Sequence, residues 1–193
     1  MLHKVKLEDL IMILDYLVIE EDCDKIVNWF VENKDLQKKG SVCLTRSKEC
    51  DVDIDFKVAI QSNPPPNHEI SHLISRIISR AYNEYMNVLP TPPTNETCVL
   101  DYTVRVYKKN EGYFKEHVDQ HPATVSRIFA VICYLNDVAE GGETEFPEFD
   151  LKVAPKKGRV LIFPCNYLYK HKGNMPISND KYTATAFINF FLT

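Results

Sequence analysis

Hydrophobic positions along this chain keep a helical period in its first half and a strand period in its second, and the change falls near residue 98. In EEDCDKIVNWFVENK, Cys23, Ile26, Val27, Phe30 and Val31 recur at helical spacing, with acids in the first turn, where the positive end of a helix dipole favours them. A second helix is predicted in HEISHLISRIISRAYNEYM, whose Ile70, Leu73, Ile74, Ile77, Ile78, Ala81 and Tyr85 form one stripe. NPPPN, residues 63–67, breaks the chain ahead of it and offers Asn67 as N-cap; LPTPPTNET ends it. The short apolar IMILDYL reads as a lead-in strand.

Beyond residue 98, CVLDYTVRVY, GYFKEHVD, RIFAVICYLNDV, FDLKVAP, RVLIFP and YTATAFINFFL read as short strands, separated by the turn signals NDVAEGGET, PKKG and HKGNMPISND. Strands at this spacing suggest a sandwich or barrel, with the N-terminal helices backing one sheet. The closing strand says more. Lys181, Thr183 and Thr185 alternate with Tyr182, Ala184, Ala186 and Ile188, which gives a polar, cationic face within an apolar strand. A lined cavity best explains such a face.

Composition narrows the field. The 193 residues fit one domain over 1–193, a helical lead-in over about 1–97 followed by a β core over about 98–193. A net charge of −4 gives no electrostatic reason to expect nucleic acid as a partner. Glu8, Asp9 and Asp15 break the N-terminal apolar run, which therefore has neither a signal-peptide core nor the length of a membrane span, so the expected location is the cytoplasm. The 6 cysteines (Cys23, Cys43, Cys50, Cys98, Cys133, Cys165) show no C-x-x-C spacing and are expected to be reduced, structural thiols.

Two histidine motifs compete for the chemistry. HEISH, His68 to His72, has the spacing with which a helix grips zinc in proteases, but both histidines fall opposite the apolar stripe and no third ligand follows, so a solvated helix face is the reading adopted. HVDQH offers His117 and Asp119, which on a strand share one face. His171 in YLYKHKGN supplies a third ligand. Two histidines and a carboxylate form the facial triad that holds Fe(II) and leaves positions open for a chelating co-substrate and O2. Lys181 then suits the far carboxylate of a dicarboxylic co-substrate.

The ordered set H-x-D, YLN, GGET-F, KKGR-L-FP and H-x-G…K-Y-x-A-T, together with the lead-in ILDYLVIEEDCDKIVNWF, resembles the Fe(II)- and 2-oxoglutarate-dependent dioxygenases of the prolyl 4-hydroxylase-like branch. The resemblance implies a double-stranded β-helix (jelly-roll, cupin-like) core, with His117, Asp119 and His171 as iron ligands and Lys181 on the distal carboxylate of 2-oxoglutarate. It further implies Tyr107, Tyr134 and Thr183 around that co-substrate, a pocket rim at Gly141, Gly142 and Thr144, and L-ascorbate as reductant. The implied reaction converts 2-oxoglutarate and O2 to succinate and CO2 while hydroxylating an unactivated C–H bond. Peptidyl-proline is the first substrate expectation, in the manner of a procollagen-proline 4-dioxygenase. A free amino acid or other small molecule is the second, and a jelly-roll that binds metal without turnover is the rival class.

Overall fold

The computed structural model describes residues 6–40, 56–89 and 96–191. Its elements are β1 (Met12–Leu14), α1 (Glu20–Glu32), β2 (Lys38–Lys39), β3 (Lys57–Val58), β4 (Ile60–Ser62), α2 (Glu69–Met86), β5 (Thr97–Tyr107), β6 (Tyr113–His117), β7 (Arg127–Tyr134), β8 (Thr144–Phe146), β9 (Leu151–Val153), β10 (Val160–Pro164), β11 (His171–Gly173) and β12 (Lys181–Phe190). The strands form two antiparallel sheets, ordered β1-β10-β7-β12-β5-β4-β2 and β3-β6-β11-β8-β9. Both sheets contribute to one inner cluster, so they face each other in the jelly-roll arrangement that the resemblance implies.

Burial on both faces explains why the central strands read as nearly continuous apolar runs. Along β7, Phe129, Val131 and Cys133 pack with the helices, while Ala130 and Tyr134 turn to the inner cluster beside Phe146 and Phe163. β12 divides likewise: Ala184, Ala186 and Ile188 pack toward α1 and α2, which leaves Lys181, Thr183 and Thr185 on the inner face, all buried. The predicted stripe of α2 is buried throughout. Among the described residues, no helix is long and apolar enough to cross a membrane.

Several local expectations are corrected. The cap of α2 is His68, whose side chain accepts the Ile70 N–H, not Asn67. In α1 Trp29 is buried and Val31 exposed, because the helix turns its Trp29 edge rather than its Val31 edge toward α2. The lead-in holds more strand than expected: beside the anticipated β1, β2 and β4 join the larger sheet and β3 the smaller one. β11 lies within a segment read as a turn, and β8 starts at the last residue of another; both are 3-residue strands with Gly and Asn turn chemistry nearby. Cys23, Cys98, Cys133 and Cys165 are free thiols, and Cys43 and Cys50 lie outside the described residues.

HEISH has no metal geometry. His72 is exposed, and the His68 ring rests against Trp29 at 5.8 Å between centroids. Replacing His68 by alanine is expected to lower stability by about 1 kcal/mol through loss of the cap, measured as a shift in urea midpoint.

Candidate metal and co-substrate site

Strand pairing brings the two histidines together. In the antiparallel ladder of β6 and β11, His171 lies directly opposite His117, and the imidazole centroids are 4.3 Å apart. Asp119 arrives differently from the sequence expectation, because β6 ends at His117 and Asp119 occupies a bend. The bend is pinned: the Asp119 carbonyl accepts the Thr124 hydroxyl at 2.9 Å, and Gln120 N–H donates to the Cys165 carbonyl at 3.0 Å. The carboxylate thereby spans both rings, with Oδ1 3.6 Å from His117 Nε2 and Oδ2 3.6 Å from His171 Nε2. All three ligand atoms lie within 4.8 Å of one another, and among the described residues this is the sole such group.

Each ring is oriented by its other nitrogen. Nδ1 of His117 lies 2.8 Å from the Lys115 carbonyl, and Nδ1 of His171 lies 3.1 Å from the Tyr169 carbonyl. A carbonyl can only accept, so both Nδ1 atoms carry the proton and both Nε2 lone pairs point at the shared center, the tautomer a metal requires. Phe114 stacks on His117 at 3.6 Å, and Phe163 meets His171 edge-on at 4.7 Å. Burial, followed by the neighbouring His117, pushes His171 down to about 4, so it is neutral at physiological pH. Burial works against a charged Asp119, yet His171, His117 and Arg127 hold its carboxyl well below the usual range. A buried carboxylate facing two imidazole nitrogens is a donor set that fits Fe(II).

His121 does not join them. Its Nδ1 accepts the Ala123 N–H at 3.3 Å and serves the turn before β7.

The triad opens into a pocket between the two sheets. Lys181 lines one end and is only 2% exposed; its ammonium donates to the Gly142 carbonyl at 2.8 Å and sits 4.6 Å above the ring of Tyr107, its cross-strand partner. Gly142 has φ +75°, a conformation glycine adopts without strain, and this turns its carbonyl toward the lysine. Tyr107, Thr183 and Thr144 also line the pocket. The Thr183 hydroxyl is buried without a hydrogen-bond partner, an orphan polar atom of the kind that a polar ligand satisfies. Tyr134 is absent from the lining: it is fully buried behind it and donates to Thr144 Oγ1 at 2.7 Å.

Among the lining residues that escaped the sequence reading are Arg105 and Phe114. Arg105 was detectable, since Thr103, Arg105 and Tyr107 alternate with the buried Val104 and Val106 just as the polar face of β12 does. Phe114 gives no such signal, because an aromatic residue in a short strand reads as core.

Burial pushes the Lys181 ammonium down to about 8. The pH dependence of co-substrate binding follows in sign: below about 8 the free protein presents the charged form, and above it the proton is lost. The dissociation constant for 2-oxoglutarate is therefore expected to rise by up to about tenfold per pH unit above 8. Anaerobic calorimetry between pH 7 and 9.5 checks this.

Comparison with known proteins agrees with the geometry. Residues 102–189 match the sequence model of the 2OG-Fe(II) oxygenase superfamily. No curated protein matches the chain in sequence. Among solved structures, the viral collagen prolyl hydroxylase of Paramecium Bursaria Chlorella virus-1, solved with 2OG, is similar at TM-score 0.69 and 22% identity, covering 95% of this chain and 97% of that one. A prolyl hydroxylase from Trichoplax adhaerens, in complex with a hypoxia inducible factor oxygen degradation domain peptide, is similar at TM-score 0.72 and 14% identity over 94% and 84%. A Pseudomonas putida prolyl-4-hydroxylase gives 0.68 and 12% over 96% and 97%.

Proposed function

We infer that this chain, a 2-oxoglutarate-dependent dioxygenase by the 2OG-Fe(II) oxygenase domain of its residues 102–189, hydroxylates a prolyl residue in a peptide. The observation that carries the reading is one pocket holding both the triad and a buried ammonium. The substrate is suggested by the similarity, along nearly all of the chain, to prolyl hydroxylase folds.

In this reading His117, Asp119 and His171 hold Fe(II), which when bound supplies O2 activation coupled to oxidative decarboxylation of 2-oxoglutarate. The chain's own residues bind, orient and exclude. Lys181 pairs with the distal carboxylate in a site with little water, where a charge-assisted hydrogen bond is strong. Tyr107, kept protonated by burial, and the orphaned Thr183 hydroxyl offer further hydrogen bonds along the co-substrate. Tyr134 braces Thr144 from behind. Phe114 and Phe163 shield the imidazoles from water, which favours placement of one C–H bond over side reactions. L-ascorbate would serve as external reductant, residues 1–193 would act as one catalytic domain, and the cytoplasm would be its compartment.

The test incubates the iron-loaded protein with 2-oxoglutarate and ascorbate, then searches proline-containing peptides and free amino acids by mass spectrometry for one added oxygen. A prolyl peptide gaining oxygen in step with succinate is the expected result. Oxygen found only on free amino acids or small molecules overturns the peptide reading, and metal binding without succinate overturns the enzyme.

A further inference from the structure

The ladder between β7 and β12 gives out before it reaches Lys181. Its terminal pair is Tyr134 with Thr183, followed by a bond from Leu135 N–H to the Tyr182 carbonyl at 3.0 Å. In a continued antiparallel ladder Tyr182 N–H would turn to the Leu135 carbonyl, and Asn136 would lie opposite Lys181. The fold does something else. Asn136 puts its side-chain amide where a strand backbone would have been: Oδ1 accepts Tyr182 N–H at 2.7 Å, and Nδ2 donates to the Asp180 carbonyl at 2.8 Å. A primary amide carries the same donor and acceptor as a peptide unit, so one side chain stands in for the missing strand.

The two bridged residues are the immediate neighbours of Lys181. On the opposite flank Lys181 itself pairs with Tyr107 of β5, and the Asp180 carboxylate accepts Lys108 Nζ at 2.7 Å and Lys109 N–H at 2.8 Å. Bonds from both sides thus fix the backbone from which the lysine projects. This matters because the ammonium sits at the end of a flexible four-carbon stem, and its bond to the Gly142 carbonyl, at 2.8 Å, fails on a shift of well under an ångström combined with misalignment. A charged group held in place before its partner arrives spends less of the binding energy on ordering. The Asp180 carbonyl takes a second bond from Asn179 Nδ2 at 3.1 Å, so the bond to Tyr182 N–H is the one that an alanine at position 136 leaves unreplaced.

We propose that Asn136 is a positioning residue for the co-substrate: by bridging Asp180 and Tyr182 it fixes the stretch of β12 from which Lys181 reaches the distal carboxylate of 2-oxoglutarate. The proposal rests on the reading of Lys181 as the partner of that carboxylate. Asn136 acts through the lysine and makes no contact with the ligand itself, so its effect on binding exists only while the lysine is present.

The experiment is a double-mutant cycle read by anaerobic calorimetry. It measures the dissociation constant of 2-oxoglutarate for the iron-loaded full chain, Asn136→Ala, Lys181→Ala and the double variant, beside iron content and melting temperature. Lys181→Ala is expected to weaken binding about a hundredfold. Asn136→Ala is expected to weaken it about five- to tenfold with iron content unchanged. In the double variant binding should stay within about twofold of Lys181→Ala alone, because the bridge then has no lysine to position. A bridge that merely stabilises the fold would let the two losses multiply, and that outcome overturns the proposal. So does an Asn136→Ala protein within about twofold of the unmodified affinity while Lys181→Ala keeps its loss; the reading of Lys181 then stands by itself. Unchanged affinity in Lys181→Ala removes the lysine from the co-substrate and the proposal with it, whereas succinate formation by the unmodified protein tests the dioxygenase separately. If Asn136→Ala does not fold, Asn136→Gln, which carries the same amide on a stem one methylene longer, goes through the same cycle with a smaller loss expected. Failure of both to fold makes the bridge a requirement of the fold and overturns its positioning role.

Discussion

Replacing His171 by alanine is expected to abolish Fe(II) binding and 2-oxoglutarate turnover together. In the proposed site three side chains hold the metal, and His171 is the one most deeply buried, at 5% exposure. Without it, His117 and the Asp119 carboxylate remain in a cavity lined by Phe114 and Ala130, and among the described residues no other His, Cys, Asp or Glu groups with them to close the triad. The loss should exceed the roughly 10–100-fold that follows removal of an outer-shell partner. Asp119→Ala should do the same and also leave two neutral imidazoles with no anion to balance the metal's charge. His121→Ala is the internal control: that ring serves a turn, so iron content and turnover should stay close to those of the unmodified protein. Metal analysis of the purified variants, paired with succinate formation, reads both quantities. Full iron occupancy with normal turnover in the His171→Ala protein would remove the assignment.

The parts of this site that the sequence makes legible share one physical cause. A strand carries period-2 information, so Lys181, Thr183 and Thr185 disclose a lined cavity before any contact is known, and β12 honours that alternation until the bulge between Thr185 and Phe187. Helical stripes are equally legible, and α2 buries its predicted face. Legibility fails where geometry is set by few residues or by distant ones. Asp119 reaches the other two from a bend held by Thr124 and Cys165, so the strand-parity argument names a pair that the fold does bring together, for a reason the fold does not use. β11 is 3 residues long and its sequence reads as a turn; only its pairing with β6 sets His171 opposite His117. Tyr134 is fully buried in a strand buried on both faces, where periodicity cannot tell a pocket wall from the layer behind it. Arg159 also carries a charge that sequence alone leaves open to co-substrate binding. In the fold its guanidinium is clamped by Asp15, at 2.6 Å through Nε, and ties β10 to β1.

Lys181→Ala is expected to keep the iron and lose the co-substrate. The ammonium is buried, donates to the Gly142 carbonyl, and shares the pocket with the orphaned Thr183 hydroxyl, so in the proposed reading the distal carboxylate of 2-oxoglutarate finds a charged partner at this end. Removing one member of a buried ion pair costs on the order of 3–5 kcal/mol, less where water enters the space the side chain leaves. Half-saturation should therefore rise by roughly two orders of magnitude or more. Iron content should not change, because Lys181 is none of the three ligands. Stability should move the other way or hardly at all. The folded-state pKa of about 8 lies below the ordinary value of 10.5, so burying the charged lysine costs stability below pH 8 and that cost fades as pH rises toward 10.5. An alanine carries no such cost, although it leaves a cavity that offsets part of the gain. A 2-oxo acid without a distal carboxylate separates the ion pair from general damage: it never used the ammonium and should lose little on the same substitution, whereas a disordered pocket would hurt both acids alike. Succinate formation against 2-oxoglutarate concentration, apolar 2-oxo acid consumption, iron content and melting temperature, measured on both proteins, read the four effects separately. An unchanged apparent affinity in a folded, iron-loaded Lys181→Ala protein would mean that another residue holds the distal carboxylate.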